Sequence, residues 1–290
     1  MPPDVILPLA SGFGYAVAAI LLKRAADGGA GPWRATFVTN WVAALILSLW
    51  WLRGGQPFAW QHLWHAMIVG GCFFVGQVFT FLALNRGDVS VATPVLGTKV
   101  IFVVLFSRML TSAPVPGAWW LAALLTAFGT ALLGWSGTRK RYVAISLALG
   151  FSAAACFSMT DVLCQMWAPA WGFGQFAPAL FWTVALLSLA LLPLFREPLR
   201  ELSGSTFRWL LAGAVMIALQ ASGIAYSIMV FGTAAKTNVL YNTRGVWSVL
   251  LVWCFGHWFG NTERNLGPGV LLRRLAGAIL LLSAILLITS

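Results

Sequence analysis

Lys99 and Arg244 are the residues of this 290-residue chain best placed to do chemistry, because each interrupts a long apolar run. They lie 145 positions apart, and each follows a threonine, as Thr98-Lys99 and Thr243-Arg244. Lys99 falls about ten residues into its run, hence roughly 15 Å deep at the α-helical rise. A cation at that depth in lipid costs at least about 2.5 to 3.5 kcal/mol, so it faces a protein interior or a wet cavity. Asp161 is the one acidic residue well inside an apolar run, and one carboxylate cannot neutralise two cations. The pattern points to a cavity that receives an anionic group. Gln77 and Gln220 supply amides that serve either a ligand or interhelical packing. Asn238 and Asn242 extend the polar character beside Arg244, and Tyr15 and Tyr241 are cavity candidates because a buried hydroxyl needs a partner. Pro94 and Gly97, just before Lys99, are placed to loosen the helix there. Asp161 reads best as a helix-end residue at the membrane interface, with pairing to a cation and carrying a proton as its alternative roles. Lys236, close to a helix start, reads as a snorkelling cation.

Positioning these groups takes a membrane. The chain is 60% hydrophobic and only 9% charged, whereas a soluble domain carries about 25% charge. Apolar runs bounded by Gly, Pro and charge give spans at Val5–Leu22, Trp33–Leu52, His62–Leu84, Val89–Leu110 and Gly117–Trp135. A second set follows at Tyr142–Gln165, Gln175–Leu194, Arg208–Phe231, Ala234–Phe259 and Val270–Ile288. The runs lack the alternation of a membrane β-barrel, so the expected fold is an all-α polytopic protein of ten transmembrane helices. The opening Met1-Pro2-Pro3-Asp4 has no basic residue before the first run, so that run is read as a retained span rather than a cleaved signal. Cys72, Cys156, Cys164 and Cys254 sit within apolar runs, where neither disulfides nor a structural metal is expected.

Five spans and five spans invite a search for internal symmetry. Leu9-Ala10-Ser11-Gly12-Phe13 matches Leu147-Ala148-Leu149-Gly150-Phe151 at an offset of 138, and Ser48-Leu49 matches Ser188-Leu189 at 140. Gly70 and Gln77 match Gly213 and Gln220 at 143, Gly87 and Thr98 match Gly232 and Thr243 at 145, and Gly129 matches Gly277 at 148. The offsets rise steadily, as a duplication with small insertions produces. Residues 1–137 then form a first five-helix repeat, 138–141 a basic connecting loop, and 142–290 a second repeat. An odd number of spans per unit makes the two repeats inverted, with a substrate site expected at their interface.

The other charges report orientation. Lys23, Arg24, Arg34, Arg86, Arg139, Lys140, Arg141, Arg196, Arg200, Arg208, Arg264, Arg273 and Arg274 flank one set of loops, and only Arg53, Arg108 and Lys236 flank the other. The positive-inside rule puts the first set in the cytoplasm and both termini outside it, in a bacterial inner membrane. The basic run of the central loop is too short to track nucleic acid. No lysine follows a glycine, so a phosphate-binding loop is missing, and His62, His65 and His257 lack the partners of a hydrolytic or metal site. No enzymatic activity, cofactor or nucleic-acid partner is expected. The expected partners are a small-molecule substrate and the bilayer, with the chain a monomer or weak homodimer.

With the repeat and the segment FLALNRGDVSVATPVLGTKVIFVVLFSRML (residues 81–110), the chain resembles the EamA-like branch of the drug/metabolite transporter superfamily. The likeness covers nearly the whole length and includes the turn from Ala83 to Gly87 and the glycines Gly129 and Gly277. It implies a secondary transporter with a central cavity and alternating access. Where such proteins often carry a proline in the fourth and ninth helices, this chain has Lys99 and Arg244. Where they end the fourth helix with glutamate it has Arg108-Met109, and its first helix holds no acid beyond Asp4. Cation-exporting relatives use a carboxylate in that first helix, whereas phosphate-translocating relatives carry basic residues in the fourth and ninth. The resemblance thus implies an anionic or zwitterionic metabolite, and the residues expected to bind it are Lys99, Arg244, Thr98, Thr243, Gln77, Gln220, Asn238, Asn242, Tyr15 and Tyr241. A lipid-headgroup flippase and a multidrug or cation exporter are the alternatives.

Overall fold

The computed structural model describes residues 2–53, 57–86, 95–111, 114–134, 143–255 and 268–289. Gly87, Pro94, the Arg139-Lys140-Arg141 run with its connecting loop, His257 and Arg264 lie outside the described residues. Those described form helices and no strand. In chain order they are α1 (Pro3–Asp27), α2 (Pro32–Ser48), α3 (Leu63–Arg86), α4 (Lys99–Leu110), α5 (Gly117–Gly134) and α6 (Val143–Trp171). Then come α7 (Phe173–Leu187), α8 (Gly204–Phe231), α9 (Ala234–Tyr241), α10 (Arg244–Phe255) and α11 (Pro268–Thr289). Short 3-10 stretches extend α2 to Arg53 and α7 to Leu194. Seven of these segments are long and apolar enough to cross a membrane, and Gly117–Leu133 is a shorter apolar helix.

Lipid explains both the outside and the inside of this bundle. Leu52, Phe128, Leu272 and Leu286 are each more than 60% exposed, a surface that a soluble monomer would not leave uncovered. The interior is lined instead by small residues, among them Ala16, Ala43, Ala44, Ala122, Ala123, Ala153 and Ala154. Lipid gives helices little hydrophobic reason to associate, so close backbone approach across small side chains carries the packing. Hydroxyls turn back on their own helices: Thr39 donates to the Ala35 carbonyl and Thr126 to that of Ala122, each at 2.7 Å. A hydroxyl bonded in this way does not face hydrocarbon unsatisfied.

The expected ninth span is two helices, α9 and α10, separated at Asn242-Thr243, and α4 begins after a turn at Thr98. Both interruptions keep helical dihedrals and tighten the winding rather than unwind it. The Thr98 hydroxyl donates to the Val95 carbonyl at 2.6 Å, and the Thr243 hydroxyl to the Leu240 carbonyl at 2.8 Å. Matched positions thus carry the same bond. Gly31 and Gly172, which open α2 and α7, likewise share one conformation, at φ 68°, ψ 155° and φ 73°, ψ 145°, a region essentially confined to glycine. In packing, α1 lies on α8 as α6 lies on α3, and α4 meets α6 as α10 meets α1.

Helices α5 and α11 meet closely at two glycines, Gly129 and Gly277. A Cβ placed on Gly129 would lie 2.8 Å from the Gly277 carbonyl oxygen, and one placed on Gly277 would lie 2.7 Å from that of Gly129. Leu281 closes the first contact and Leu133 the second. Gly129→Ala and Gly277→Ala should each destabilise the protein by about 1 to 3 kcal/mol, the usual cost of forcing atoms into a packed contact. One parting of α5 from α11 relieves both clashes, so the double variant should cost less than the sum, as measured by thermal unfolding in detergent.

Candidate functional site

Lys99 opens α4, and its Nζ lies 2.7 Å from Asp161 Oδ2 on α6. Asn238 of α9 donates to the same carboxylate oxygen at 2.7 Å and to the Ala234 carbonyl at 2.9 Å. Three helices therefore converge on one carboxylate. The Ser158 hydroxyl of α6 reaches the Lys99 carbonyl at 2.8 Å, and the ammonium stands 5.9 Å from the centre of the Phe157 ring. Gln165, one turn beyond Asp161, accepts from the Ala234 backbone N–H at 3.0 Å and caps the start of α9. Sequence reasoning missed Gln165, because a glutamine at the edge of an apolar run gives no sign of the helix start it will meet.

The placement corrects the interfacial reading of Asp161. The residue is 8% exposed and lies ten positions before the end of α6 at Trp171, not four positions before an end at Gln165. Pro169 does not stop the helix, because Trp167 stacks on His65 at 4.4 Å and Trp171 packs on Phe58 at 5.3 Å. Tertiary contact holds the last turns in place of the bond that proline cannot donate. Lys236 also departs from expectation. Rather than snorkelling to headgroups, it pairs with Asp4 at 2.7 Å and ties the start of α9 to the start of α1. Arg34, read as a loop charge, is 5% exposed. It donates to the carbonyls of Gly29 and Ala30, and to those of Glu197 and Pro198 at 3.3 and 3.4 Å.

Arg244 opens α10 with different neighbours. Its guanidinium carbon lies 4.8 Å from the Tyr15 ring centre and 4.5 Å from that of Tyr241, and the two rings meet edge to face at 6.0 Å. Among the described residues no carboxylate comes within 4.0 Å of it. A guanidinium suits such a cradle because it is planar and weakly hydrated, and ring faces attract it without cancelling its charge. Of the two mid-span cations, Lys99 is paired with a carboxylate and, among the described residues, Arg244 is not.

The remaining sequence-selected residues divide. Gln77 exchanges two hydrogen bonds with Asn40, at 2.9 and 3.0 Å, which makes it interhelical packing. Gln220 keeps a buried Oε1 with no partner among the described residues. Thr98 and Thr243 spend their hydroxyl protons on their own helices. Asn242 is 5% exposed and sits in the break before Arg244. The four cysteines are free thiols, and among the described residues no group of three His, Cys, Asp or Glu side chains could hold a metal. A cavity of about 690 Å³ lies apart from all of these, between α3 and α7, where Trp51, Phe58, Trp60, Met67, Trp182 and Leu186 line it.

The sequence profile of the EamA-like transporter family matches residues 3–135. The chain is also 31% identical over 115 residues to a protein of Pseudomonas savastanoi pv. phaseolicola (strain 1448A / Race 6). That stretch is 40% of this chain and 82% of the other, which is named a probable 4-amino-4-deoxy-L-arabinose-phosphoundecaprenol flippase subunit, ArnE. The chain belongs to the EamA-like transporters of the drug/metabolite transporter superfamily. A solved crystal structure superposes at a TM-score of 0.75 with 22% identity, covering 99% of this chain and 97% of that one. Such a likeness shows the fold alone. Within this EamA-like fold the cluster at Asp161 joins both halves of the chain.

Removing one partner of a buried ion pair leaves an uncompensated charge and costs about 3 to 5 kcal/mol. Lys99→Gln should therefore lower thermal stability sharply, and Lys99→Gln combined with Asp161→Asn should recover much of the loss. Unfolding of the purified single and double variants in detergent measures both.

Proposed function

We propose that this EamA-like protein is a secondary transporter that moves a small anionic or zwitterionic metabolite by alternating access, with Arg244 as the cation that receives the substrate's anionic group. The observation that carries the reading is the guanidinium of Arg244, lodged against two tyrosine rings at a helix break with no carboxylate within 4.0 Å among the described residues. Among the described mid-span residues, two cations and one carboxylate leave one positive charge in excess, and in a low-dielectric interior that excess favours an anion. Lys99 and Asp161 form the neutral partner of the site, and a proton on Asp161 is the route by which transport couples to pH.

The matched bonds at Thr98 and Thr243, the shared backbone at Gly31 and Gly172, and the reciprocal contact of Gly129 with Gly277 support two inverted repeats, divided near residues 138–141. Repeats of this kind rock against each other around a fixed site. The charge count of the loops supports an orientation with both termini outside the cytoplasm, and we place the protein in a bacterial inner membrane.

One observation favours a second reading, a flippase-like role on a lipid-linked anion. The relative just described is named as a subunit of such a flippase, and the cavity between α3 and α7 is walled by side chains that face the membrane, Met67 and Leu186 both being 55% exposed.

Reconstituted protein should take up acidic metabolites in preference to neutral and cationic ones. Arg244→Gln should reduce that uptake at least tenfold, a loss of about 1.4 kcal/mol or more, while Arg244→Lys retains part of it. Normal uptake by Arg244→Gln would overturn the proposed site. Movement of a lipid-linked anion without uptake of any water-soluble acid would replace the first reading with the second.

A further inference from the structure

The cavity between α3 and α7 has the length and setting of one half of a bilayer. Its α7 wall runs from Gln175 to Leu187, a length of roughly 18 Å at the helical rise. One leaflet of a ~30 Å hydrocarbon core is about 15 Å deep, so the groove spans the reach of a single lipid chain. It begins at a membrane surface: Trp51 lies next to the end of one span, Trp60 opens another, and Gln175 is close to the start of a third. Trp50 meets Phe173 edge to face at 4.9 Å, which brings these span ends together. Helix α3 contributes Leu63 and Met67 and closes onto α7 at Gly70, where a Cβ would lie 2.8 Å from that of Thr183. Met67 and Leu186, both 55% exposed, form a wall that faces lipid.

Polarity is graded along the same axis. In the deeper part the polar groups of the lining are already bonded: the Trp182 indole donates to Ser48 Oγ at 2.7 Å, and the Thr183 hydroxyl to the Ala179 carbonyl at 3.0 Å. At the mouth the opposite holds. The Gln175 amide and the indole N–H groups of Trp51 and Trp60 make no hydrogen bond among the described residues. All three can donate, and donors gathered at the level of lipid headgroups suit a phosphate or ester oxygen. The groove is polar where a lipid is polar and apolar where a lipid is apolar.

We infer that this cavity seats one linear acyl chain of a membrane phospholipid, with its head end held by Gln175, Trp51 and Trp60, as a lipid that stays with the protein rather than a cargo. Arg244 has no part in this seat, so the seat and the transport reading can fail separately. The volume of about 690 Å³ falls in the range of sites that enclose a small molecule. A water-soluble acid is a poor occupant, because none of the described lining side chains is charged. A polyprenyl chain is a poor one too, since its greater length and its methyl branches exceed a groove of one leaflet's depth.

The test uses the full chain reconstituted in phosphatidylethanolamine vesicles doped with phosphatidylethanolamine whose acyl chain carries a photoreactive diazirine. Mass spectrometry of the crosslinked peptides gives the label on the groove relative to the label around Phe128, Leu272 and Leu286, which are exposed on other helices. That ratio separates seated lipid from passing lipid, and it should be about tenfold or more, the mark of a preference in affinity. A diazirine near the ester should label Trp60 and Leu63, and one near the chain end Leu186 and Leu187. Leu186→Trp fills the groove from its lipid-facing wall without touching the packed interior, and Ala179→Trp fills it from within. Each should bring the ratio to about one, and Gln175→Leu should lower it by about threefold or more.

A ratio near one in the wild type means passing lipid only and overturns the inference. A ratio unchanged in Leu186→Trp overturns it as well, whether or not Ala179→Trp folds, and a ratio unchanged in Gln175→Leu overturns the assignment of the head end. Displacement of the probe by a polyprenyl phosphate at lower concentration than by unlabelled phosphatidylethanolamine overturns the resident phospholipid in favour of a carried lipid.

Discussion

The ion pair of Lys99 with Asp161 is the constraint on which the middle of the molecule depends. A carboxylate in a lipid-embedded interior needs a cation within hydrogen-bonding distance, and Lys99 provides one at 2.7 Å. Asn238 reaches the same oxygen, so α4, α6 and α9 are fixed to a single atom. The rest of the site follows from that occupancy. With Asp161 committed to Lys99, the second cation is held by ring faces that attract its charge without cancelling it. Lys99 is thus held by a carboxylate and Arg244 by two aromatic rings.

Charge placement was the most legible feature of the sequence. Lys99 and Arg244 stand out because lipid tolerates few mid-span cations, and their common threonine and equal register in the two halves mark them as a pair. The helical class and most span centres were legible for the same reason, since an apolar run of about 20 residues has few other uses. Pairing was not legible. Nothing near Asp161 in the sequence announces Lys99 sixty-two positions earlier or Asn238 seventy-seven later, and an end assigned at Gln165 put the carboxylate at the wrong depth. Trp167 and Trp171 keep α6 helical past Pro169 through contacts with α3 and with Phe58, which no local pattern records. Lys236 was misread in the same way, because its partner Asp4 is 232 residues distant.

Breaks in the fourth and ninth spans show how the helix and the site constrain each other. Each threonine returns its hydroxyl proton to a carbonyl three residues back, which tightens the turn and leaves the following basic residue as the first of a new helix. A cation at a helix start is electrostatically disfavoured by the positive end of the macrodipole. Lys99 meets that cost with a carboxylate and Arg244 with two aromatic rings. Both depend on an outside contact to hold their charge where the backbone alone would reject it.

Arg34 carries a different kind of consequence. Its acceptors are main-chain carbonyls on two segments far apart in the chain, Gly29 and Ala30 on one and Glu197 and Pro198 on the other, with the Glu197 carboxylate more distant at 3.6 Å. Main-chain oxygens are present whatever side chains surround them. The two turns can therefore drift in sequence while the clasp between them persists, provided that their paths and the arginine itself are kept. Selection at this end of the bundle then acts on the course of the backbone, and a comparison of sequences would register one constant residue facing two variable loops.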